Sequence, residues 1–328
     1  MIERIRERAA RSRTSGEVRL GIGDDCALLA LKDDEDAAIT TDLSLENRHF
    51  RLDLHPPESV GHRTLTRGLS DIAAMGARPV AVFLSLGLPR KLTDRHGRKS
   101  AWIDRFMDGL MSLAARQKTS LAGGDLAESP IALADIVVVG AVPRGQSLLR
   151  SGARPGDLLY VSGALGGSAA GLRKLGTLNA RTRVRRISQP EFSAHLWPEP
   201  RISQALWLLS HHAATAAIDI SDGLSTDIDH LCTESHVSAE IDANLLPIFP
   251  GATLEDALHG GEDYELLFTA RPGTRIPRAI RGVRATQIGT IVEPWAKRPR
   301  VVLVDGSGRH PLLRKGWEHF RAGERVSY

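Results

Sequence analysis

The stretch that most constrains this chain is Ile218 to Leu231, Ile-Asp-Ile-Ser-Asp-Gly-Leu-Ser-Thr-Asp-Ile-Asp-His-Leu. An apolar run from Ala213 to Ile218 stops abruptly at Asp219, Ser221 and Asp222. Gly223 permits a tight turn, and Leu224, Ile228 and Leu231 then recur at helical spacing. The pattern predicts a strand that delivers two carboxylates and a hydroxyl to its end, with a helix starting just beyond. Carboxylates this close repel unless a cation lies between them. Mg²⁺ takes oxygen ligands of this kind and brings phosphates with it. Capping of the helix by Asp222 and a turn made by Asp219 account for the same letters without a metal. Recurrence favours the cation, because comparable acids stand at strand or helix ends four more times.

At 328 residues the chain is too long for one ordinary core, so two domains are expected. Pro143 to Asp157, rich in glycine, proline and arginine, marks the boundary and divides the chain into 1–145 and 146–328. Cys26 and Cys232 lack metal-binding spacing, which argues against a disulfide scaffold or a zinc site. The opening Met-Ile-Glu-Arg-Ile-Arg-Glu-Arg has no signal-peptide core, and no apolar stretch nears the ~20 residues that span a bilayer. A cytoplasmic protein with no membrane partner is expected. The net charge of +4 invites a nucleic-acid reading. Against it, the basic residues are spread out and aromatics make up only 5%, with no stacking motif among them. A general attraction for anionic ligands remains.

In chain order, residues 18–31 place a Gly-x-Gly-Asp-Asp turn between apolar segments, and a hairpin with a solvated turn explains it equally well. Residues 37–42 form a short strand that ends in Thr40, Thr41 and Asp42, with His49 and Phe50 just beyond. From Glu58 to Gly76 the apolar spacing is helical and stops at Gly76. Asp71 stands in the second half of that helix, where the dipole disfavours an acid. Val80–Leu88 is a strand, Thr93–Arg116 an amphipathic helix, and Leu121–Asp125 a strand ending in two glycines and an acid. Ile131–Val142 closes the first domain. The second opens with strand Leu158–Ser162 and the glycine-studded turn Gly163–Gly171, for which close packing is favoured over phosphate binding. Arg181–Pro200 reads as a surface excursion before a helix at Pro200–Ser210. Gly260-Gly-Glu-Asp263 then introduces a strand, followed by strands at Gln287–Val292 and Val301–Asp305. Trp317 is a core anchor or a flat platform for an aromatic ligand.

The chain has no Gly-x-x-x-x-Gly-Lys-Ser/Thr loop and no protein-kinase motif set. Carboxylates without a phosphate-cradling lysine imply that metal ions neutralise the phosphates. Eight segments together resemble the thiamine-monophosphate kinases, in the superfamily of aminoimidazole ribonucleotide synthetase and selenophosphate synthetase. They are Gly21–Leu29, Thr40-Thr-Asp42 with His49-Phe50, Ser70–Ala77, Gly123-Gly-Asp125, Arg150–Asp157, Ile218–Leu224, Gly260–Leu266 and Lys315–Phe320. Three positions depart from the family pattern: Gly68 for the usual Asn, and Leu43 and Leu126 for the usual Thr.

The resemblance implies a two-domain α/β (α+β) fold like that of aminoimidazole ribonucleotide synthetase. Its N-terminal domains would pair into a homodimer around a shared β-barrel, with ATP near the dimer interface. It implies several Mg²⁺ ions on Asp25, Thr40, Thr41, Asp42, Asp71, Asp125, Asp219 and Asp222. Nucleotide contacts fall on Gly124, Asp125, Arg150 and Ser221, and thiamine monophosphate contacts on His49, Glu262 and Trp317. The implied reaction is in-line transfer of a phosphoryl group from ATP to thiamine monophosphate, giving thiamine diphosphate. Asp42, Asp71, Asp125 and Arg150 would carry it.

Overall fold

The computed structural model describes residues 2–11, 16–20, 28–94, 101–295 and 299–317. The chain divides into two compact units, Met1–Ile72 with Ala77–Gly145, and Ala73–Gly76 with Gln146–Tyr328. No helix among the described residues is long and apolar enough to cross a membrane.

The first unit starts with helix α1 (Ile2–Arg11) and the short antiparallel strands β1 (Val18–Leu20) and β2 (Leu28–Leu29). The intervening Gly-Asp-Asp turn, with Asp25, lies outside the described residues. Strands β3 (Glu35–Leu45), β4 (Arg78–Leu88), β5 (Ser120–Glu128) and β6 (Leu133–Pro143) form a four-stranded sheet in the order β3-β6-β4-β5. Only the β4–β5 pairing is parallel. Residues 37–42 are predicted to end at Asp42, yet β3 continues to Leu45, with Asp42 opposite Ile136 and Leu45 opposite Leu133. Pairing with a long partner strand overrides the polar letters, because a carboxylate at a half-buried position does not break a ladder. Helices α2 (Pro57–Ala74) and α3 (Trp102–Arg116) complete the unit. Gly68 of α2 faces the sheet, where a Cβ would lie 2.5 Å from a methyl of Val138. The departure from asparagine at this position therefore matches close helix–sheet packing.

The second unit holds an eight-stranded sheet. Its strands are β7 (Leu158–Ser162), β8 (Ala216–Ile220), β9 (Ser238–Asp242), β10 (Glu265–Ala270), β11 (Ala279–Ile280), β12 (Val283–Val292), β13 (Val301–Asp305) and β14 (Gly308–Pro311). The order is β14-β13-β9-β12-β7-β10-β8, with β11 paired to β12. Strand β10 is buried throughout, as its run Leu-Leu-Phe-Thr-Ala suggests. The helices are α4 (Gly167–Thr177), α5 (Ala180–Arg186), α6 (Ser193–Leu196), α7 (Ile202–Ser210), α8 (Leu224–Glu234) and α9 (Leu254–His259). Residues 181–200 are not the uniform surface excursion that their charges suggest. Phe192 and Leu196 are fully buried and α6 packs on α4, so two apolar anchors fix the second half of a basic segment.

Candidate active site

In the first unit, strand alternation sends Thr40 and Asp42 to the face that α2 covers. The Thr40 hydroxyl donates to Asp71 Oδ2 of α2 at 2.5 Å. Arg67, one turn before Asp71 on the helix, stands 3.5 Å from Asp42 Oδ1. Burial, and next the charge of Asp71, push the Asp42 carboxyl up to about 6, and Arg67 only partly offsets them. Thr40, Asp42 and Asp71 are thus brought together as a half-buried, under-compensated set of oxygen donors. Thr41 alternates to the other face and donates to Asp135 Oδ1 at 2.9 Å.

Asp125 lies in the sheet row Leu43–Asp135–Ser85–Asp125, one row beyond Asp42–Ile136–Leu84–Gly124. It is exposed, and its Oδ1 accepts the N–H of Leu126 at 2.8 Å. Gly124 has φ +148°, and a Cβ there would lie 1.9 Å from the Leu84 carbonyl oxygen, so no other residue fits. The half-buried His49 ties down the turn after β3, its Nδ1 accepting the Leu45 N–H at 3.0 Å. Among the described residues no three His, Cys, Asp or Glu side chains form a ready-made metal cage. The donor chemistry still fits Mg²⁺, which is commonly held by one or two carboxylates and completed by water and substrate phosphates.

In the second unit Asp219 stays within β8, buried opposite Leu266, and the chain then turns through Ser221, Asp222 and Gly223 into α8. A single oxygen, Asp227 Oδ2, accepts the N–H groups of Ser221, Asp222 and Gly223, each at 3.1 Å. Burial, then the neighbouring charges of Asp219 and Asp222, push the Asp227 carboxyl well above its ordinary range despite those bonds.

Two distant segments dock on the same turn through their backbones. The Glu262 N–H donates to the Ser221 carbonyl at 2.7 Å and the Tyr264 N–H to the Ile220 carbonyl at 2.8 Å. The Trp317 N–H donates to the Asp222 carbonyl at 2.9 Å. Glu262 and Tyr264 have φ of +65° and +51°, a strained path for residues with side chains. Asp219, Ser221, Asp222, Glu262 and Trp317 therefore share one locality. Trp317 is 44% exposed, which rules out the core-anchor reading. Arg150 is solvent-facing, and its carbonyl accepts from the Ser235 hydroxyl at 2.6 Å.

The rest of the Gly260–Leu266 segment does structural work. Asp263 accepts the N–H groups of Gly166 (2.6 Å) and Ser168 (3.1 Å), and its burial pushes it up to about 7. The glycine-studded turn before α4 thus closes on the protein's own carboxylate, in line with packing rather than phosphate binding. Glu265 is held bidentately by Arg201 at 2.6 and 2.5 Å and by the Ser162 hydroxyl at 2.5 Å. Sequence reasoning passed over Asp227, Arg201 and Glu265. The available signal was an acid in the first turn of a helix, four residues after the glycine of an acid-rich turn.

Residues 23–142 match the family model for the AIR synthase related protein N-terminal domain, and 154–302 match that for the C-terminal domain. The thiamine-monophosphate kinase of Escherichia coli K12 is 38% identical, over 90% of this chain and 87% of that protein. The thiamine-monophosphate kinase of Stenotrophomonas maltophilia superposes with a TM-score of 0.78 at 35% identity, covering 92% of this chain and 94% of the other. AaThiL, solved in complex with AMPPCP and TMP, gives 0.73 at 31% identity, covering 91% and 92%. With its mixed α/β two-domain architecture, the chain belongs to the thiamine-monophosphate kinase family of the AIR synthase related proteins.

Proposed function

We propose that this chain transfers the γ-phosphoryl group of ATP to thiamine monophosphate, releasing ADP and thiamine diphosphate, as a cytoplasmic enzyme of thiamine diphosphate synthesis. The reading rests on kinship along nearly the whole chain, including a relative bound to AMPPCP and TMP. The observation that carries it in this molecule is the docking of Glu262 and Trp317 on the Ser221-Asp222-Gly223 turn. One locality thereby combines acids suited to a metal-bound polyphosphate with an exposed indole suited to a cationic heteroaromatic ring.

The attacking atom is an oxygen of the acceptor's own phosphate, already ionised near neutral pH, so no general base is needed. Catalysis reduces to alignment and charge neutralisation. Asp42 and Asp71, with Thr40, would hold Mg²⁺, with Asp25, Asp125, Asp219 and Asp222 as further donors, while the hydroxyl of Thr41 turns away to Asp135; the ions would supply positive charge against the phosphates. Arg150 offsets charge on the nucleotide, the backbone at Gly124 and the hydroxyl of Ser221 meet it, and His49, Glu262 and Trp317 bind the acceptor. In this scheme residues 1–145 carry the main metal and nucleotide groups, and 146–328 supply the rest.

A homodimer sharing a β-barrel belongs to the same proposal. Exposed apolar side chains on β3, at the edge of the first unit's sheet, support it, since Ile39 is 67% exposed and Leu43 45% exposed. The decisive experiment is an assay of the purified protein with ATP, Mg²⁺ and thiamine monophosphate, scoring ADP and thiamine diphosphate together. ADP release without thiamine diphosphate, or no turnover, defeats the assignment.

A further inference from the structure

We infer that Asp227 is a positioning residue for the acceptor substrate, holding Glu262 and Trp317 in place through the turn that it clamps. This rests on the proposed reaction and on a chain of hydrogen bonds that runs in one direction. Asp227 Oδ2 gathers the N–H groups of Ser221, Asp222 and Gly223, which fixes the orientation of those three peptide planes. The carbonyls of Ser221 and Asp222, in the second and third of those planes, then accept the N–H groups of Glu262 and Trp317. One carboxylate therefore sets the anchors of two side chains that lie 35 and 90 positions away, respectively, along the chain.

Neither anchor stands in a helix or strand. Glu262 occupies a left-handed conformation that a side chain adopts at a cost, and it persists only while the surroundings enforce it. Trp317 stands in no helix or strand, with its ring partly in solvent. Asp227 is itself 2% exposed, in the first turn of α8, so it reaches the substrate only through the turn. What the turn requires is an acceptor oxygen at that point. An asparagine supplies one and an alanine does not.

The test compares Asp227→Ala and Asp227→Asn with the wild type by steady-state kinetics and by amide hydrogen exchange resolved to residues 221–223, 262 and 317. Asp227→Ala is expected to raise KM for thiamine monophosphate at least tenfold, with kcat per folded molecule changed less. It should also accelerate exchange at the Glu262 and Trp317 amides, whereas Asp227→Asn should recover KM to within about threefold and restore protection. If Asp227→Ala does not fold, Asp227→Ser, whose hydroxyl is too short to span the turn, carries the same readouts. Wild-type exchange at residues 262 and 317 in the alanine or serine variant overturns the inference. So does a fall in kcat with KM unmoved, or an asparagine variant as impaired as the alanine one. A wild-type enzyme inactive on thiamine monophosphate would defeat the proposed function, while the exchange data would still decide whether Asp227 holds the two anchors.

Discussion

Asp42→Asn should make the metal-free protein more stable while making it a far worse enzyme. In the folded chain the Asp42 carboxyl is pushed from 3.8 up to about 6, by burial first and by Asp71 second. At about 1.4 kcal/mol per pH unit, keeping that group ionised at neutral pH costs the fold about 3 kcal/mol. That figure is already net of the attraction to the partly buried Arg67, 3.5 Å away. The net gain on removing the charge is therefore about 3 kcal/mol at neutral pH. The sign with pH follows from the raised value. The penalty is present above about 6 and fades as pH falls toward 3.8, because protons then bind the native state more readily than the unfolded one. Urea titrations in EDTA at pH 7.5 and pH 5 measure it: the variant should lead clearly at pH 7.5 and by about half as much at pH 5. Turnover with Mg²⁺ and ATP should fall by orders of magnitude. A variant less stable than the wild type at pH 7.5, or an equal lead at both pH values, would refute the account of this site as a pair of carboxylates awaiting positive charge.

Glu265→Gln should destabilise the second unit by about 3–5 kcal/mol, because it strands the Arg201 guanidinium that Glu265 now pairs bidentately; chemical denaturation reads this directly. Gly124→Ala should lower stability by more than about 3 kcal/mol or abolish soluble expression, since its Cβ would fall 1.9 Å from the Leu84 carbonyl oxygen. Trp317→Ala should leave the melting temperature within about 2 °C, as expected for a half-exposed ring, while raising KM for thiamine monophosphate at least fivefold. An unchanged KM would remove Trp317 from the acceptor site.

Much of the scaffold was legible where local pattern and tertiary demand agreed. Strands Leu158–Ser162 and Val301–Asp305 fall where their apolar runs place them, and the helix after Gly223 starts at Leu224. The misreadings share a cause. Asp42 and Asp125 look like strand ends, but both are carried inside longer strands by pairing with β6 and β4. Phe192 and Leu196 are two apolar letters in a basic stretch, and only the face of α4 shows why they are buried. Strand β9, Ser-Ala-Glu-Ile-Asp, is too short and too polar to stand out by itself. It forms because β12 and β13 flank it. Within the site, the letters of the Ser-Asp-Gly turn were conspicuous, whereas Asp227 reads as an ordinary first-turn helical acid. Its task depends on three amides converging in space, and no spacing rule encodes that.

The seating of Asp263 at the start of α4 limits how this chain can handle nucleotides. Many phosphate-binding enzymes leave such a ring of amides open as a standing source of positive potential. Here the ring is already filled by a carboxyl group of the protein's own. Compensation for a triphosphate has to come from other groups and from dissolved ions. On the proposed chemistry, the catalytic rate would therefore follow the free magnesium of the surrounding medium more closely than in an enzyme with a built-in cradle.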